Sequence, residues 1–333
     1  MRRLLVLPFL LWGLASITFA ISRAAPADPI TTVVDTRSLQ NEEIVAAARA
    51  RWGLDKSVPE QYLVYLRNLV FHGDMGTSFR TKQNVRDDLG ERLPATIELT
   101  VASMALATTI GISLGVVAAV RKNRWSDQLA RLFAVTGSSM PVFWMGLVVL
   151  FIFWAQLGWF PGPGRLGTRA DPPEDVTGLF TIDALIAGDL GTFWDATRHL
   201  MLPSFVLGWA VMGLISRLVR ASMLDVLSQD YVRTARAKGL PERQVILRHA
   251  LKNALIPTLT ILGLSFALLI TGAVLVEQIF SWPGIGRYTV EAAQSLDFPA
   301  IQGVAIFAGA VIVLLSLVTD IAYVFVDPRI RLA

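Results

Sequence analysis

Cysteine is absent from this 333-residue chain, which excludes disulfides, thiolate metal sites and a thiol nucleophile. Histidine is scarce: His72, His199 and His249 are too scattered to suggest a metal cluster, and each reads as an ordinary surface or interfacial residue. No G-x-x-x-x-G-K-[ST] phosphate loop occurs, so the chain has no such device for holding ATP. Neither H-E-x-x-H nor G-x-S-x-G is present. Charged residues make up only 17% of the chain. The net charge of +4 could suggest nucleic acid, but uneven loop charge in a membrane protein gives the same total.

What the chain does have is long apolar runs. Its 53% hydrophobic residues gather into Leu4–Ile21, Leu99–Val120, Leu132–Leu157, Leu200–Ser216, Leu255–Val276 and Ala300–Val326. Each is near or above the roughly 20 residues that a helix needs to cross the hydrocarbon. So many blocks outweigh the alternative of buried helices in a soluble core. The sequence therefore predicts an all-α membrane protein with six transmembrane helices. The first block follows Arg2 and Arg3, and fits either a cleaved signal peptide or a retained anchor.

Loop charge gives the threading. With a cytoplasmic N-terminus, the inner segments hold Arg121, Lys122, Arg124, Arg131, eight basic residues from Arg217 to Lys252, and Arg329 and Arg331. Asp127, Asp225, Asp230, Glu242 and Asp327 oppose them, whereas the outer loop Gly158–His199 has more acids than bases. That bias obeys the positive-inside rule and puts both termini in the cytoplasm. The outer segment Ser22–Leu93 is too long for a linker and too polar to span. Within it, Asn41–Leu54 reads as a helix capped by Asn41 and ending near Gly53, and Pro59–Gly73 reads as a second. The expected organisation is a first span at 1–21, an extracytoplasmic helical segment at 22–93, and the remaining five spans at 94–333.

Glu98, Glu277 and Asp320 lie in or beside apolar blocks, where charge is costly and often functional. All fall near predicted span ends, so solvation at the boundary or an interhelical hydrogen bond accounts for them equally well. "GISLG", Gly111–Gly115, permits close helix approach, though such spacing is common in apolar helices.

Between the fourth and fifth blocks stands "DYVRTARAKGLPERQVILRHALKNALIP", Asp230–Pro257, with six Arg and Lys residues and His249. Ser228 or Asp230 offers a cap for a short helix, and Gly239 a stop. Pro241 opens a second helix, with Glu242 in its first turn. There Leu247, Leu251 and Leu255 form an apolar side away from Arg243, Arg248 and Lys252. The residues alone leave two readings open: an interfacial helix on anionic lipid, or a docking knob for a cytoplasmic partner.

This segment resembles the cytoplasmic loop of ATP-binding-cassette (ABC) importer permeases, most closely the dipeptide/oligopeptide branch. "DKSVPEQYLVYLRNLVFHGDMGTSFRTKQNV", "ERLPATIELT", "MPVFWMGLVVLF", "RHLMLPSFVLG", "FSWPGIGRYTVEAAQSLDFPAIQG" and "DPRIRLA" resemble that branch in the same order. The wider importer pattern places Glu-Ala-Ala before the glycine. Here Arg233-Thr234-Ala235 stands in its place, so the loop position carries over but the acidic contact does not. The resemblance implies a type I ABC importer (MetI-like) permease fold with a retained first span, in a bacterial-type inner membrane. It implies a second homologous permease, two ATP-binding subunits that hold ATP and Mg, and an extracytoplasmic substrate-binding protein. It gives this chain no cofactor, metal, catalytic residue or nucleic-acid partner. The coupling loop, 225–256, would contact the ATPase through Tyr231, Arg233, Thr234, Ala235, Arg236, Ala237, Lys238, Gly239, Leu240 and Pro241. The implied cargo is peptides; nickel chelates, glutathione, haem and oligosaccharides are served by related permeases. A secondary transporter would instead need intramembrane polar sites and inverted repeats, and neither is evident.

Overall fold

A computed structural model describes residues 2–24, 30, 34, 40–51 and 55–326, with only the backbone at 2–7, 51, 260, 264, 267, 271 and 315–326. Among the described residues the secondary structure is helical, apart from one Thr77–Asn84 bridge. The first helix, α1, spans Arg2–Ala24. Next, α2 spans Glu42–Arg51, and Asn41 Oδ1 accepts from the Glu43 and Ile44 N–H groups at 3.1 and 3.4 Å, so the expected cap forms. Its expected end at Gly53 and Leu54 lies outside the described residues. In α3, Val58–His72, Pro59 occupies the first turn and Glu60 accepts from the Ser57 N–H at 3.2 Å. Gly73 ends it at φ 61°.

The apolar blocks all fall on helices. They are α1; α4, Val85–Val120; α5, Trp125–Ser139, with α6, Val142–Leu150; α8, Leu190–Leu227; α11, Ile256–Ile279; and α13, Phe298–Val326. A short α7, Phe180–Ile186, precedes α8. The block Leu132–Leu157, expected as one span, divides at Met140–Pro141, where α5 and α6 (with the π turn Phe151–Gln156 that continues it) meet at 114°. Pro141 has no N–H to continue α5, and it holds the preceding Met140 in extended backbone at ψ 134°. Among the described residues, helices α4 and α8 are each long and apolar enough to cross a membrane, and the number reaches four if each of two bent pairs is one span.

The chain divides into two compact units, one from residues 1–94 and 283–317, the other built mainly on Ala95–Trp282. In the first, Val85, Leu89, Tyr288, Ala292, Ala300 and Val304 form a core from α4, α12 (Ile285–Gln294) and α13. Buried acids tie distant segments to it. Asp297 accepts from Ser78 Oγ at 2.5 Å and the Arg80 N–H at 3.1 Å, and Asp88 accepts from Tyr288 Oη and Thr81 Oγ1, each at 2.7 Å.

The second unit is organised around α8. Backbones come unusually close along it. A Cβ on Gly111 would lie 2.9 Å from Ile215 Cβ, and one on Gly115 only 2.7 Å from Val219 Cβ, so the "GISLG" pair is a genuine α4–α8 seam. On α8 itself, a Cβ on Gly208 would lie 2.8 Å from the Ser103 carbonyl oxygen, and one on Gly213 2.6 Å from that of Ala134. Small residues replace hydrophobic driving force here, because lipid is as apolar as leucine.

Candidate functional site

The basic segment forms two helices joined by a tight turn. The first, α9, spans Asp230–Ala237 and follows α8 after only Ser228 and Gln229. Neither expected cap serves. Ser228 Oγ donates to the Asp225 carbonyl at 2.7 Å and closes α8, Gln229 is the N-cap, and Asp230 stands in the first turn. Its charge still suits the positive end of the helix. At the other end Gly239 has φ 76° and its N–H reaches the Arg236 carbonyl at 2.9 Å, while the Leu240 N–H reaches that of Ala235 at 3.4 Å. These two bonds make a Schellman motif, which requires the left-handed residue that glycine provides. The accompanying apolar contact is present too: Leu240 packs with Val232, Ala235 and Val245, beside Val226 and Leu227 of α8.

Polar contacts lock the turn. Arg236 donates to Glu242 twice, Nε to Oε2 at 3.1 Å and Nη2 to Oε1 at 2.7 Å. These hydrogen bonds raise the Arg236 pKa and lower that of Glu242, against the small opposing effect of burial. Asn253 Nδ2 donates to Tyr231 Oη at 2.9 Å. The second helix, α10, runs Glu242–Ala254, and Pro241 is its N-cap rather than its first helical residue. A π turn at Val245–Ala250 shifts its register. The buried side is therefore Val245, Ala250 and Ala254, with Leu251 and Leu255 beside them, and Leu247 is 48% exposed rather than on the apolar side. Arg243, Arg248 and Lys252 are exposed.

Of the ten residues singled out in the sequence, Tyr231, Arg233, Thr234, Arg236, Ala237, Lys238, Gly239 and Pro241 are exposed. Ala235 is buried and Leu240 half-buried, so these two fasten the knob instead of presenting it.

The acids in the apolar blocks have specific partners. Glu98 is buried and accepts from Arg165 Nη2 at 2.6 Å and from the Thr181 N–H and hydroxyl, each at 2.8 Å. The Arg165 guanidinium lies 3.6 Å from the centre of the Phe180 ring. Glu277 is fully buried and accepts from Thr96 Oγ1 at 2.7 Å. Both are tied into the protein rather than solvated at a boundary, and nothing in the sequence around Arg165 signals its role as a partner. The Asp320 side chain lies outside the described residues. Asp127, at the start of α5, is buried and accepts from Arg220 of α8 through both carboxylate oxygens, at 2.8 and 2.9 Å. No cluster of potential metal ligands occurs among the described residues.

Two family models match the chain. One, for the binding-protein-dependent transport system inner membrane component, matches residues 111–332. The other, for the N-terminal part of such membrane components, matches residues 1–100. The chain belongs to this permease family. Among its curated relatives is the probable D,D-dipeptide transport system permease protein DdpB of Escherichia coli K12, with 45% identity covering 96% of the permease and 93% of the relative. The dipeptide transport system permease protein DppB of Alkalihalophilus pseudofirmus is 42% identical over 99% of the permease and 98% of its own length. The glutathione transport system permease protein GsiC of Escherichia coli O6:H1 is 35% identical over 99% of the permease and 97% of its own length. A crystal structure of an amino acid ABC transporter with histidines has a chain that matches with a TM-score of 0.50 at 12% identity, covering 72% of the permease and 94% of that chain. That likeness supports the fold. The permease is thus a multi-pass membrane protein of ABC transport systems.

Proposed function

We propose that the permease carries dipeptides and oligopeptides from an external binding protein into the cytoplasm, with ATP and Mg held by partner ATPase subunits. The observation that carries this reading is identity of 42–45% to relatives named as dipeptide permeases, over almost the whole of each chain. A second reading, glutathione, has the support of the relative at 35% identity; glutathione is itself a short peptide.

In this reading the chain crosses the membrane six times with both termini cytoplasmic. It pairs with a second, homologous permease and two ATPase subunits. Closure of the ATPases on ATP pushes the exposed face of α9, and the packed helices exchange inward- and outward-facing arrangements. ATP supplies the free energy through its different affinity for the two states, so the permease needs two stable packings and no reactive group.

Reconstitution tests the function. The purified chain alone should hydrolyse no ATP, and peptide uptake by proteoliposomes should appear only with the second permease, both ATPases and the binding protein. Turnover of ATP by this polypeptide alone would sink the assignment. Threading is tested by single cysteines in the naturally cysteine-free chain. The exposed Lys122 and Ser228 should escape an impermeant thiol reagent applied outside, and the exposed Glu174 and Gln294 should react. The opposite pattern would refute the orientation.

A further inference from the structure

In the unit formed by residues 1–94 and 283–317, α3 carries an apolar surface wider than its contact with α1. Tyr62 and Tyr65 make that contact, their ring centroids 5.3 and 5.7 Å from that of Phe19. Tyr62 Oη also donates at 2.6 Å to Ser16 Oγ, whose own proton goes to the Trp12 carbonyl. Beside these tyrosines, Leu63, Leu66 and Val70 recur at helical spacing, and Phe71 follows. Leu63, Val70 and Phe71 are 65%, 69% and 78% exposed. An exposed apolar stripe of this kind marks either a protein partner or a membrane.

The level of the stripe follows from α1. Ser16 lies about 8 Å along the helix axis below Ile21, where the apolar run Leu4–Ile21 ends. Helix α13 gives the same level independently. Its apolar run begins at Ala300, Gln302 Nε2 donates to Ser22 Oγ at 2.6 Å, and a Cβ on Gly309 would strike Leu14. The contact of Ser16 with Tyr62 falls between those two, so Tyr62 and Leu63 stand within the apolar layer of both helices and not beyond it. A depth of about 8 Å is that of a helix lying in a membrane interface, whose apolar face sinks roughly 5–10 Å. The exposed face of α1 passes the same height, through Ile17 and Ile21.

Composition then favours lipid over another helix. Helices that meet inside membranes approach through small residues, as α4 and α8 do at Gly111 and Gly115. From Val58 to His72, α3 has no Gly, Ala, Ser or Thr. Its stripe is made of large side chains, with Arg67 exposed on the same helix and tyrosines behind it. Aromatics and an arginine at the end of an apolar face are the composition of the headgroup level of a bilayer.

We propose that α3 is an interfacial helix, with Leu63, Leu66, Val70 and Phe71 set among the acyl chains of the outer leaflet and Arg67 at its phosphates. The outer segment is then partly a membrane-bound element and not wholly a cap above the bilayer. The proposal rests on α1 being a retained span that runs outward, and it is independent of the cargo.

Spin labels on single cysteines test it, with the full permease in liposomes of phosphatidylethanolamine and phosphatidylglycerol. Power saturation compares oxygen, which concentrates in hydrocarbon, with a nickel chelate confined to water. Ile17→Cys is the lipid reference and Glu174→Cys the water reference; these two residues, Leu63 and Val70 are all exposed, so labelling them spares the packing. At Leu63→Cys and Val70→Cys the ratio of oxygen to nickel accessibility should be several-fold above that at Glu174→Cys, and Leu63→Cys should match Ile17→Cys. Both ratios should persist when the second permease is reconstituted alongside. Water-like ratios at Leu63→Cys and Val70→Cys, with Ile17→Cys in lipid, would overturn the proposal alone. A water-like ratio at Ile17→Cys as well would refute α1 as a span and the proposal with it. Loss of access to both reagents on adding the second permease would also overturn it, because the stripe would then belong to a protein partner.

Discussion

Gly239→Val isolates the backbone of the proposed coupling knob from everything else. Gly239 has φ 76°, and a Cβ added there would meet nothing within 4 Å, so no steric clash accompanies the change. What remains is the cost of holding an L-residue in the left-handed region, about 1–2 kcal/mol. That shifts the balance between correctly and wrongly turned knobs by roughly 5- to 30-fold. A wrong turn breaks the bonds to the Arg236 and Ala235 carbonyls and draws Leu240 away from Val232 and Val245. The loss is too small to unfold the spans, which share no packing with Gly239. Expression, membrane insertion and helical content by circular dichroism should therefore match the wild type, while ATPase-subunit capture in detergent and peptide uptake fall together. Gly239→Asn is the control, since asparagine visits the left-handed region readily, and it should retain most of both activities. Equal capture and uptake by the valine and asparagine variants would refute the idea that this turn presents the docking face.

Arg236→Glu sets two carboxylates against each other; because the pair is partly exposed it costs only about 0–1 kcal/mol, and adding Glu242→Arg should restore subunit capture. Failure of that rescue would mean that Arg236 acts on the partner and not on the turn. Gly115→Leu forces side-chain atoms into a gap already 2.7 Å from Val219 Cβ, and should lower the melting temperature by the equivalent of about 1–3 kcal/mol. Gly13→Ala, where nothing lies within 4 Å, should leave it unchanged, and similar losses at both sites would contradict the seam. Asp127 has its pKa lowered from 3.8 to about 2, chiefly by the Arg220 hydrogen bond and despite its burial. A depressed carboxylate stabilises the fold above its unfolded pKa, and this contribution fades as pH falls from about 4 towards 2. Thermal unfolding of wild type and Asp127→Asn should thus differ by a constant amount from pH 7 to about 4 and converge below; a gap independent of pH would exclude the ion pair as its cause.

Much of this was legible because it is local. Apolar blocks, the stop at Gly239 and the Asn41 cap depend on residues within a turn or two, and all lie where the sequence predicts them. The break at Met140–Pro141 was legible too, since the residue before a proline avoids helical backbone, but the length of the surrounding apolar run masked it. The exposure of Leu247 was not, because a π turn inserts a register shift that period-3.6 counting cannot anticipate. The partners of the buried acids were beyond reach for a different reason. Glu98 and Arg165, or Ser78 and Asp297, meet only through tertiary packing, and no spacing rule relates residues so far apart in the chain. The Arg236–Glu242 pair lies between these cases: close in sequence, yet joined only because Gly239 reverses the chain between them.

Helix α8 has 38 residues and so a length of about 57 Å, nearly twice the thickness of the hydrocarbon. Its closest backbone approaches, at Gly208, Gly213, Ile215 and Val219, run from its midpoint into its C-terminal half. Pro203 stands just before them and lacks the N–H that would bond one turn back. Mechanically, α8 is a beam clamped from its midpoint towards its C-terminus, with its weakest section just N-terminal to the clamp. A push applied at α9, which is separated from Leu227 by only two residues, would reach the closely packed part of the helix first. Bending is then cheapest at Pro203. The N-terminal arm, from Leu190 to Leu202, is about 20 Å long, so a 15° change at the proline would swing its tip by about 5 Å.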